Sequence, residues 1–126
     1  MKAAAALLLA GFAGCSTAPG TGWSRAPDLS VYSAMTTFGD IAREQSTLCA
    51  GFRPAGVAED WRGDFGAREA AVAAALAARH GAAAVSDAEA AAVATRRVAC
   101  SDVLSPRWRR HYVRLLRLLE ARLGLA

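Results

Sequence analysis

The chain has 126 residues, a formal charge of +4 and only 7% aromatic residues, enough for one small domain and no more. Alanine and arginine dominate and β-branched residues are few, which favours helix throughout. The modest positive charge does not by itself call for a nucleic-acid partner, and no apolar run reaches the ~20 residues of a membrane span.

In chain order, Met1–Cys15 (MKAAAALLLAGFAGC) comes first: one positive residue, Lys2, an apolar run from Ala3 to Ala13, then small residues up to a cysteine. A charged start, a short apolar core and a small-residue cleavage site make a secretory signal. Its last residues, Phe12-Ala13-Gly14-Cys15, resemble the bacterial lipobox, with Phe12 where that family prefers Leu. The resemblance implies a lipoprotein: signal 1–14 removed, Cys15 lipidated as the first mature residue, and the chain held to membrane lipid. Ser16, where an Asp would imply inner-membrane retention, implies the outer membrane and a periplasm-facing domain. The mature chain then carries fourteen arginines, no lysine and eleven acids, a charge of +3.

Residues 15–28 read as the lipidated terminus and a flexible tether, marked by Pro19, Gly20, Gly22 and Pro27. Residues 29–126 form the domain, expected to be all-α, a bundle of about four helices. The first begins near Asp28 or Ser30 and runs to about Ala50, with Ala34, Phe38, Ile41, Leu48 and Phe52 on one face, widened by Val31 and Met35. Gly51 and Pro54 stop it. The second runs from about Val57 to His80 with Gly81 behind it, its apolar face carrying Trp61, Phe65, Val72 and Leu76. Arg68 stands on that face and is expected to snorkel or meet a carboxylate. Ser86-Asp87-Ala88-Glu89 fits a capping box and predicts that the third helix starts at Ser86 and continues to about Cys100. The fourth takes Ser105 as N-cap and Pro106 as its first residue, and ends at Leu123 before Gly124.

Cys49 and Cys100, the two cysteines left in an exported domain, predict a disulfide. Both fall in the last turns of their helices, and in an up-down bundle the first and third helices end at one pole. In a square bundle with sequential neighbours those helices would be diagonal, beyond the ~5.5 Å Cα separation a disulfide needs. The pair therefore predicts that they are adjacent.

Chemistry is sparse, and the expectation is a protein without a catalytic site, cofactor or metal. His80 suits the end of its helix. His111 lies among Arg109, Arg110 and Arg114, which would depress its pKa. Asp60 and Asp64 stand one turn apart beside Trp61, and the simple reading is a solvated face. The strongest candidate surface is the fourth helix, where Trp108, Tyr112, Leu115, Leu116, Leu119 and Leu123 fill one arc and Arg107, Arg110, Arg114 and Arg117 fill the opposite one. Guanidinium forks suit phosphate and carboxylate, so these four are the candidate binding residues for an anionic envelope component or a protein partner. Alternatively they are a solvated face paired with acids of the first two helices. A second class of function is an accessory subunit that docks through an apolar face such as Trp61/Phe65 or Trp108/Tyr112.

Overall fold

A computed structural model describes residues 22–95, 100 and 106–126, with the side chains of 94 and 95 left aside. The lipobox and Cys15, the capping Ser105 and the stretch leading up to Cys100 lie outside the described residues. Within them the fold is all-α, with four helices. A 3-10 turn, Trp23–Arg25, precedes α1, Asp28–Leu48; α2 is built from Pro54–Trp61, a π-helical turn Arg62–Gly66 and Ala67–His80; α3 is Ala82–Thr95 and α4 is Arg107–Arg122.

The stops fall where glycine was expected. Gly51 and Gly81 adopt φ of 79° and 91°, and Gly124 follows α4 at 72°. This left-handed region is open to glycine at little cost, and it lets the chain turn out of a helix. The starts are less faithful. α3 begins at Ala82, a full turn before Ser86, because three alanines directly behind Gly81 are strong helix formers. Glu89 does not reach back to a cap; its carboxylate accepts a 3.0 Å hydrogen bond from the Tyr32 hydroxyl of α1. At α4 the N-cap position is taken by Pro106, whose carbonyl accepts from the Arg110 N–H.

α1 and α2 are each bordered by both α3 and α4, and the first turns of α2 also touch α1. The first and third helices are thus neighbours, and Cys49 and Cys100 are bridged with a Cα–Cα distance of 5.3 Å. The core contains Val31 and Met35 from α1, Trp61, Phe65, Val72 and Leu76 from α2, Val85 and Ala88 from α3, and Tyr112, Leu115, Leu116, Leu119 and Leu123 from α4. Two residues expected on the apolar face of α1 lie outside it: Leu48 is 68% exposed and Phe52 63%. Seven-residue steps drift by ~20° per heptad on a straight helix, so a stripe followed from Ala34 has left the core by Leu48.

Close approach of α1, α2 and α4 centres on Gly39. A Cβ there would stand 3.0 Å from Tyr112 Cδ2 and 3.1 Å from Trp61 Cζ2. Glycine inside a helix costs about 1 kcal/mol relative to alanine, and here it admits two aromatic rings. Trp61, Phe65 and Tyr112 form a tight triad with centroids 4.7–4.8 Å apart. The π turn lies between Trp61 and Glu69. One extra residue per turn rotates all that follows by ~100°, which sets Glu69 beneath Trp61 instead of about 80° round the helix. Glu69 Oε1 accepts from Trp61 Nε1 at 3.0 Å and also from the Tyr112 hydroxyl. Burial and this carboxylate both raise the pKa of Tyr112, so its hydroxyl keeps its proton. Trp61, Phe65 and Tyr112 are therefore core residues, while Trp108, of the second apolar face suggested for partner docking, is half-buried.

Candidate functional site

α4 presents three kinds of surface, separated by its 3.6-residue period. Tyr112, Leu115, Leu116, Leu119 and Leu123 are buried. On the two flanks, arginines meet acids. Arg109 donates to Asp64 Oδ2 at 2.9 Å, both side chains being 51% exposed, and its guanidinium lies 4.8 Å from the Phe65 ring centroid. Across the bundle Arg68 of α2 grips Glu120 of α4 with two parallel bonds, Nε to Oε2 at 2.9 Å and Nη2 to Oε1 at 2.6 Å. That fork holds the Glu120 carboxyl below its ordinary range and raises Arg68. Arg68 thus meets a carboxylate, as one of the two expectations had it.

Arg122, the last residue of α4, is more deeply engaged. Its Nη1 donates to the Ala26 carbonyl at 2.7 Å and to Asp28 Oδ1 at 3.1 Å; its Nη2 donates to the carbonyls of Trp23 at 2.9 Å and Ser24 at 2.7 Å. Asp28 also faces Arg79 at 3.9 Å. This clamp fixes the 3-10 turn against the pole where α1 starts and α4 ends, and Trp23 packs on the core. The segment expected to be a tether up to Asp28 is therefore part of the domain from Trp23 onward.

The outward face carries all four candidate residues, and all four are exposed. Arg107 stands over its neighbour Trp108, 4.6 Å from the ring centroid. Arg110, Arg114 and Arg117 make no hydrogen bond or ion pair among the described residues. They line a shallow groove of about 410 Å³ with Pro106, Arg109 and Val113. No carboxylate shares this face; Glu120, the only acid of α4, is turned toward Arg68.

The other sequence candidates are not brought together. His80 is exposed at the end of α2. His111 is half-buried between Phe38, at 5.3 Å, and Trp108, at 6.0 Å. Burial is the main cause holding it below its ordinary pKa, followed by the charges of Arg114, Arg107 and Arg110. Its Nδ1 and the Trp108 Nε1 are buried and take no partner among the described residues. Asp64 is held by Arg109 while Asp60 opens onto a different cleft, so the two do not work as a carboxylate pair. That cleft, about 650 Å³, runs between α1, the start of α2 and α4, and is lined by Phe52, Arg53, Val57, Trp61 and Trp108. Among the described residues no three His, Cys, Asp or Glu side chains gather as metal ligands, and no helix is long and apolar enough to cross a membrane.

Sequence reading missed the Arg122 clamp and the Glu69 network. For Glu69 a faint signal existed: an acid at the margin of an apolar stripe, with two aromatics of that stripe able to donate. No protein-family model, curated protein or solved structure matches the chain.

Proposed function

We propose that this protein is a small lipoprotein of the bacterial envelope, anchored through acylated Cys15 and facing the periplasm, most simply from the outer membrane. In this reading it is a non-enzymatic binding module that engages an anionic envelope component or partner through α4. The compartment rests on the Met1–Cys15 pattern. The binding role rests on one observation: Arg110, Arg114 and Arg117 share a face without a carboxylate, while Arg68, Arg109 and Arg122 around it are all paired. A binding role fits the interior as well, since Glu69 is committed to Trp61 and Tyr112 and His111 is wedged between rings.

The intact mass of the membrane-extracted protein, before and after reduction and alkylation, tests the anchor. A chain that starts at Cys15 with added acyl mass, and two thiols that appear only on reduction, is the expected result. An uncleaved chain without acyl mass overturns it. The accessory-subunit reading retains one favourable observation, exposed Leu48 and Phe52 at the disulfide pole; a stoichiometric protein partner lost on Phe52→Asp would select it.

A further inference from the structure

We propose that α4 lies along the bilayer surface, with Arg110, Arg114 and Arg117 seated among the phospholipid phosphates of the leaflet that holds the Cys15 anchor. The inference rests on the anchored-lipoprotein reading and adds the partner and the orientation.

Reach comes first. The Arg122 clamp takes Trp23, Ser24 and Ala26 out of the linker, leaving seven residues between Cys15 and the 3-10 turn. The eight steps from Cys15 to Trp23, at no more than ~3.6 Å each, extend at most about 29 Å. The chain leaves the domain beside the end of α4, and at 1.5 Å per residue the three arginines stand within about 18 Å of that end along the helix axis. A surface held this close to its own acyl anchor meets the phosphates of the same leaflet before any other anion.

Charge comes second. Arg110 and Arg114 are four residues apart and Arg114 and Arg117 three, so each is the lateral neighbour of a like charge. Among the described residues none of the three makes an ion pair, and only Arg117 has a carboxylate, Glu120, near enough for its charge to be felt. Arg68, Arg109 and Arg122 beside them are paired with Glu120, Asp64 and Asp28. Guanidinium forks match phosphate oxygens. Val113, Leu118 and Ala121 lie between and beside the arginines, so the face has no acid to repel a phosphate layer.

The test uses the full acylated chain reconstituted into vesicles of phosphatidylethanolamine with phosphatidylglycerol, or of phosphatidylcholine alone. A fluorophore is placed on Ala121→Cys, on the outward face of α4, or on Ala90→Cys, on the exposed face of α3, and is quenched by headgroup-nitroxide lipid. Lipidation of Cys15 and the Cys49–Cys100 bridge leave the new thiol as the one to label. The Ala121 site is expected to be quenched several-fold more than the Ala90 site on phosphatidylglycerol vesicles. That ratio should fall toward one on phosphatidylcholine, in high salt, and in the triple variant Arg110→Glu, Arg114→Glu, Arg117→Glu. Each basic residue near an anionic surface contributes about fivefold in binding, so surface contact by α4 should drop by roughly a hundredfold when the three charges are removed and by more when they are reversed in the triple variant. Arg→Gln versions give a second, milder series. Equal quenching at the two sites, or a ratio that survives the triple variant, overturns the proposal. So does a ratio that rises only when lipopolysaccharide or an acidic envelope protein is added. A chain without acyl mass that fails to join the vesicles defeats the anchor itself, a distinguishable outcome.

Discussion

Arg122 and Arg114 stand eight residues apart on one helix and have opposite surroundings. Arg122 is three-quarters buried by side chain and donates to three backbone carbonyls and a carboxylate. Arg114 is exposed, with Arg110 and Arg117 as lateral neighbours and no acid on its face. Sequence treats the two alike, as basic residues on a basic helix. The fold assigns the first to holding the chain's entry against the bundle and leaves the second to solvent or to a ligand. One helix therefore carries two kinds of arginine that can be perturbed separately.

The sharpest separation should come from the buried face. Leu116→Ala is expected to cost about 2–5 kcal/mol, the range for a fully buried leucine replaced by alanine, measured by urea unfolding of the oxidised protein. Leu116 is fully buried and its helical position sets it away from the arginine arc, so affinity for anionic vesicles below the melting transition should not change. Arg122→Ala should cost about 1.5–3 kcal/mol, the value of charged hydrogen bonds lost from partly buried carbonyls. Its distinguishing mark is local: amides of residues 23–26 should lose hydrogen-exchange protection while the core amides keep theirs. Gly39→Ala follows, setting the pressure of its methyl on Tyr112 and Trp61, an overpacking strain of about 1–3 kcal/mol, against a helix-propensity gain of about 1 kcal/mol. A net loss of no more than about 2 kcal/mol is expected.

How far the sequence carried this comparison follows from what each feature depends on. The four helices, their glycine stops and the buried arc of α4 were legible because they are set by periodicity and by single-residue backbone preferences. The adjacency of the first and third helices was legible from Cys49 and Cys100, since a disulfide is a distance restraint. The π turn was not: one inserted residue leaves no pattern, and Trp61, Phe65, Val72 and Leu76 read as one face with or without it. The start of α3 was misplaced because Ser86 and Glu89 have the right spacing for a cap, and only the fold shows Tyr32 in reach of Glu89. Which arginines are paired is a long-range property. Arg68 and Glu120 are 52 residues apart, and Arg122 and Ser24 are 98.

Two pH windows probe the flank and the buried face separately. Glu120 is held below its ordinary pKa by Arg68, so the unfolded chain takes up its proton first as pH falls. Its contribution is fully present above the unfolded value of about 4.3 and is lost as pH drops through the folded value. Arg68→Met should flatten the stability curve in that acid range. His111 is also lowered, mainly by burial. The unfolded chain again binds the proton first, and stability falls as pH drops below about 6.5 toward the folded value. His111→Gln should remove that slope alone. A slope below pH ~6.5 that is unchanged in His111→Gln would show that the imidazole is as solvated in the fold as in the unfolded chain.

The smallest expected effect is the most informative about the outward face. Replacing Arg110 and Arg114 together by Gln should change stability by no more than about 0.5 kcal/mol, and in the favourable direction, because each like-charge pair on a helix surface costs about 0.2–0.5 kcal/mol. Arg117 is kept out of this pair because its charge also favours the ionised form of Glu120, three residues on. The wild-type melting temperature should rise slightly with added salt as the repulsion is screened, and the double variant should show less of that rise. A loss of 1 kcal/mol or more in the double variant would mean that these arginines have structural partners. The contrast with Arg122 would then collapse, along with the case for a ligand on this face. A neutral or slightly positive change would show that the fold does not need the Arg110 and Arg114 side chains, the condition that the proposed binding role of this face requires.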